Sequence, residues 1–167
     1  MKRTNIAVFT IVVLAAISAA AQAAGQKSFN AMKSLTGEWE GKNQVGDAVE
    51  VSYRLTAGGS ALMSEIRSSM RGKTEDMISM IHMDGERLLL THYCHAGNQP
   101  RMRASISPDG KTITFDFVDA TNLSDSQPGH MQRVIFTFTD SNHHTEEWHF
   151  RSPGKELVEK FELEKKG

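Results

Sequence analysis

The spacing of apolar residues changes rhythm at Trp39. Before it, Phe29, Met32 and Leu35 recur at helical spacing in SFNAMKSL, which predicts one short amphipathic helix. After it, apolar and polar residues alternate, and turn signals break the alternation about every ten residues. In VEVSYRL, Val49, Val51, Tyr53 and Leu55 point one way and Glu50, Ser52 and Arg54 the other. Gly58 and Gly59 turn the chain into SALMSEI. Asp84 and Gly85 divide MISMIHM from RLLLTHYC, and Asp109 and Gly110 divide RMRASIS from KTITFDFV; D-G between alternating runs is a strong hairpin signal. About ten such runs joined by short turns predict an all-β fold, an up-and-down antiparallel β-barrel with the short helix ahead of it. The polar stretch DATNLSDSQPG is expected to loop over one end.

Alternation also assigns faces. Met102, Ala104 and Ile106 are expected inside, with Arg101 and Arg103 outside; Ile113, Phe115 and Phe117 follow the same rule. Val134, Phe136 and Phe138 place His130 and Gln132 on their own side, and Trp148 and Phe150 carry Glu146 inward while Glu147 and His149 stay out. Leu157, Phe161 and Leu163 carry Glu159 inward. In LLLTHYCHAGNQPRM, Leu88 and Leu90 share a face with His92 and Cys94, which favours both inside. Tyr53 and Tyr93 join the inward candidates, whereas His143 and His144 fall in a turn and are expected to be solvated. So many inward polar groups need partners, solvent or a ligand, because each buried alone costs a few kcal/mol.

Residues 1–23 change the expected setting. Lys2 and Arg3 precede an apolar run from Ile6 and a small-residue tail with Ala21, Gln22 and Ala23, the order of a signal peptide, leaving residues 24–167 as one domain. The run is short for a membrane span, and no later segment is apolar enough, so no span is expected in the mature chain. Export implies a periplasmic or secreted protein. Loss of Lys2 and Arg3 leaves seventeen basic against twenty acidic residues, a net charge of −3, which argues against nucleic acid as a partner. A lone cysteine, Cys94, excludes an internal disulfide, so packing must hold the fold.

The segment LTGEWEGK, with Gly37 and Trp39 just after the helical turn, resembles the G-x-W entry of the calycin group, the lipocalins and fatty-acid-binding proteins. The phrases YRLTAGGSALMSE, GERLLLTHYCHAGNQPRMRA, ITFDFVDATN, GHMQRVIFTF and TEEWHF resemble small exported bacterial proteins of unknown function with a lipocalin-like or haem-binding-protein-like barrel. The resemblance implies a fold and a compartment and no activity. Unlike lipocalins the chain has no cysteine pair, and KFELEKK stands where fatty-acid-binding proteins carry R-x-Y.

The chemistry follows from the inward set. A pocket rimmed by aromatic residues with a few polar groups suits a small apolar or amphipathic molecule. Its expected ligand-binding residues are Tyr53, His92, Tyr93, Cys94, His130, Gln132, Glu146, Trp148 and Glu159, with Asn98, Gln99 and Arg101 from the HAGNQPRM loop at the mouth. One alternative is a haem or metal-binding barrel using His92 or His130, although no C-x-x-C, H-E-x-x-H or C-x-x-C-H occurs. The other is a small barrel enzyme using His92, Cys94 or Glu146, without a nucleophile elbow. Catalytic and metal residues are therefore left unassigned, no cofactor beyond that haem alternative is expected, and a monomer or homodimer is the expected assembly. Met77, Met80 and Met83 lie three apart, so they cannot converge on one side of a strand and are read as core filler.

Overall fold

In a computed structural model, which describes residues 23–70 and 73–167, the chain is a closed antiparallel barrel of ten strands preceded by one helix. The signal-peptide assignment falls outside the described residues apart from its last position. No helix among the described residues is long and apolar enough to cross a membrane.

Helix α1 covers residues 23–33. The strands are β1 Gly37–Asn43, β2 Ala48–Thr56, β3 Ala61–Met70, β4 Lys73–Asp84, β5 Arg87–Tyr93, β6 Gln99–Ile106, β7 Thr112–Thr121, β8 His130–Phe138, β9 His143–Ser152 and β10 Lys155–Lys165. Each strand pairs with its neighbours in sequence, and β1 closes the ring against β10, with Trp39 opposite Lys165 and Asn43 opposite Phe161. The D-G turns behave as their chemistry demands: Gly85 (φ 60°) and Gly110 (φ 76°) take the left-handed conformation that lets the chain reverse tightly.

The alternation read from the sequence is the pleat of this sheet. Val49, Val51 and Tyr53 on β2, Met102 on β6, Ile113 and Phe115 on β7, and Val134 and Phe136 on β8 are all buried in one core. Leu55, at the end of β2, departs from the pattern and is 39% exposed. Phe29, Met32 and Leu35 on and just after α1 are buried in the same core, so the helix stoppers the barrel end at which β1 begins. The Trp39 indole fixes that stopper by donating to the Leu35 carbonyl at 2.6 Å.

Two irregularities interrupt the pleat. Between β6 and β7 the register shifts so that Arg101 faces Asp119 and Met102 faces Phe117, leaving Val118 as the extra residue. Between β8 and β9, Met131 faces Phe150 and Arg133 faces His149, which makes Gln132 the extra residue. A bulge of this kind reverses the facing of everything beyond it. Met131, rather than Gln132, is therefore the buried residue at that level of β8.

Candidate functional site

Four polar side chains lie directly opposite one another across four successive strands: Tyr53 on β2, Ser64 on β3, Ser79 on β4 and His92 on β5. All four are buried, and His92 has no exposure at all. Ser64 lies between Leu62 and Ile66, and Ser79 between Met77 and Ile81, in alternating runs whose apolar members fill the core, so the pleat that buries those neighbours carries the hydroxyls inward. Two residues of β9 close this row into a ring. Glu146 accepts from the Tyr53 hydroxyl at one end, and the Trp148 ring lies 4.8 Å from the His92 ring at the other. Within β9 the Trp148 indole donates to Glu146 Oε2 at 2.8 Å, which links the two ends of the row.

Glu146 is the most demanding member, because a carboxylate without solvent contact must be supplied with donors. It receives three: the Tyr53 hydroxyl, the Trp148 indole and, at 3.2 Å, Nε2 of His144. Burial, with the Glu146 charge added, pushes the Tyr53 hydroxyl pKa well above its usual range and keeps the phenol protonated. Burial pushes His92 the other way, down to about 4, so its imidazole is neutral at neutral pH. His92 Nδ1 lies 2.9 Å from Ser79 Oγ, while its Nε2 has no hydrogen-bond partner in the protein. Ser64 Oγ is equally buried and lies near enough to the Tyr53 hydroxyl to favour its ionised form, but makes no hydrogen bond of ordinary geometry. Glu159, opposite Trp148 on β10, is half-buried and leaves Oε2 unpartnered. Buried polar atoms are nearly always hydrogen-bonded; His144 Nδ1, on the imidazole that bonds Glu146, is a fourth unpartnered atom at the ring, and Ser68 Oγ and Asn98 Oδ1 are unpartnered elsewhere.

Of the residues expected from sequence, Tyr53, His92, Glu146 and Trp148 are brought together, with Glu159 beside them. The others are placed elsewhere. Tyr93 is 44% exposed on the outer wall opposite Ile78, since the pleat that turns His92 in turns its neighbour out. Arg101 is also outside and pairs with Asp119. Gln132 lines a recess of about 560 Å³ with the outward Arg133, His149 and Arg151, because of the β8 bulge. His130 goes with it: its ring nitrogens lie 2.8 Å from the Pro128 carbonyl and 3.0 Å from Gln132 Oε1, and the ring stacks on Phe117 at 4.4 Å. Asn98 is buried but donates to the Gly129 carbonyl, and Gln99 bonds the Gly97 carbonyl and the Thr121 hydroxyl, so both amides tie loops together. Cys94 is half-buried at the end of β5, where burial, with the Glu75 charge nearby, pushes its thiol pKa up and disfavours the thiolate.

His144 was expected in a solvated turn, yet it is 1% exposed, with Trp39 packed edge-on against it at 4.3 Å. Strand β9 starts at His143, so the Glu146–Trp148 alternation extends two residues farther back than the turn signal indicated. Ser64 and Ser79 were missed as well; their signal was the same alternation, in which a serine occupies an apolar slot.

Among the described residues, no three or more histidine, cysteine, aspartate or glutamate side chains converge to hold a metal ion. A haem on His92 would need a flat open space beside the imidazole. Trp148 and Ser79 flank that ring and Phe136 packs 6.4 Å behind Trp148, so the surroundings of His92 do not fit a haem. No protein-family model matches the chain, and no curated protein matches it.

Proposed function

We propose that the protein is an exported lipocalin-like barrel that binds a small molecule at the polar ring in its interior, reached from the end opposite α1. The observation that carries the reading is the pair of buried, unpartnered atoms, His92 Nε2 and Ser64 Oγ, on one ring of side chains. Their desolvation is offset only when something hydrogen-bonds to them. Phe136 and Phe161 stand directly opposite Glu146, and with Trp39 and Phe115 they fill much of the barrel around the ring, so the ligand is smaller and more polar than alternation alone led us to expect. At the end away from α1, Phe150 is half-buried and Leu157 is 39% exposed, which makes that end the mouth. The N-terminal charge and apolar pattern supports a periplasmic or secreted location, and the G-x-W entry supports the calycin likeness.

Native mass spectrometry of the purified protein, alongside Ser79→Ala, tests the reading. Ser79→Ala removes the Ser79–His92 contact that holds the imidazole at the ring. The expected result is a co-purifying small molecule that the variant loses while staying folded by circular dichroism. Retention of the same molecule by the variant would place binding elsewhere.

A further inference from the structure

Resting on that reading of the ring, we infer that its ligand presents an uncharged hydroxyl or amide, and that the site discriminates against carboxylates and phosphates. The charge of the interior is one-sided. Glu146 lies in the ring and Glu159 beside it, while among the described residues no buried side chain is a lysine or arginine. The Lys165 ammonium lies over the Trp39 ring, 5.5 Å from its centroid, and Trp39 in turn packs on His144. His144 is held by Glu146. An anion entering the ring would therefore give up its hydration and meet like charge, and the imidazole that could pair with it is already committed to Glu146.

What the ring does offer is neutral. Ser64 Oγ both donates and accepts. His92 Nε2 presents either a proton or a lone pair, depending on which way the Ser79 contact is oriented, and the neutral imidazole adapts by tautomer. The two atoms belong to side chains separated by one strand of a continuous row. A hydroxyl or an amide, each able to donate and accept, suits either atom. The Trp148 face against His92 supplies an apolar wall for the rest of a short molecule.

The test compares butanol, hexanol and octanol with butanoate, hexanoate and octanoate near neutral pH, following the Trp148 indole and His92 ring resonances by NMR. The alcohols are expected to shift these signals saturably, with the carboxylate of the same length binding at least about tenfold more weakly. Equal or tighter binding of the carboxylates overturns the inference and leaves the ring as a binding site. Failure of every alcohol and carboxylate to move either signal overturns the proposed binding function itself. Ser64→Ala supplies an independent arm. Its hydroxyl has no partner in the protein, so removing it should leave the melting temperature unchanged or raised, yet weaken the alcohols several-fold. Unchanged alcohol affinity in a folded Ser64→Ala would show that the row does not contact the ligand.

Discussion

Glu146 has three donors and no solvent exposure; its removal strips the Trp148 indole of its acceptor and leaves the Tyr53 hydroxyl and His144 Nε2 only each other, 3.4 Å apart. Glu146→Ala is expected to destabilise the barrel by about 3–5 kcal/mol, the usual cost of breaking a buried charged network on one side. Glu146→Gln, which keeps the shape and one carbonyl acceptor, should cost less; urea denaturation of the two variants beside the parent gives the comparison. His92 makes a different, pH-dependent contribution. Burial holds its imidazole pKa at about 4 in the folded barrel, against the usual 6.5 of a solvated histidine. Between those values the unfolded chain holds the extra proton. The contribution of His92 is thus fully present above about pH 6.5, is lost as pH falls toward 4 by about 3 kcal/mol in all, and is level below that. Urea midpoints measured across this window should slope more steeply for the parent than for His92→Gln, and parallel slopes would exclude the buried neutral imidazole as their source.

At the scale of strands, the weakest tolerance belongs to Gly41 in β1. A Cβ built there would stand 1.8 Å from the Glu162 carbonyl oxygen of β10, a backbone atom that cannot swing aside. Gly41→Ala should therefore force β1 and β10 apart, at a cost on the order of 3 kcal/mol. Amide exchange should accelerate in those two strands before β3 and β4, and uniform acceleration would argue against a local cause. The strands themselves were readable from sequence because nearly every one follows the two-residue period and ends at a glycine-bearing turn. The misplaced residues share two physical causes. A bulge is one additional residue that looks, in sequence, like any other, so the facing of His130 and Gln132 could not be read from alternation. Strand ends are the other cause: β9 begins at His143 in the middle of a polar turn, which hid His144. Asn98 and Gln99 had the composition of ligand contacts, and only their partners, the Gly129 carbonyl and the Thr121 hydroxyl opposite Gln99 on β7, show that they tie the barrel's own segments together instead.

As a whole the molecule is a meander in which every hydrogen-bonded strand pair but one links neighbours in sequence. Hairpins of that kind close short loops, whereas β1 and β10 must meet from opposite ends of the described chain. The backbone amide of Lys166 extends the clasp by donating to the Glu38 carbonyl, while that of Lys165 ties β10 to the turn before β9 through the Asn142 carbonyl. A completed ring also has no unpaired rim of amides to offer a second copy. To exchange strands with a neighbour or to seed a fibril, the protein would first have to unzip β1 from β10. The rate of any such self-association should then follow the opening of that one joint rather than the melting of the barrel as a unit.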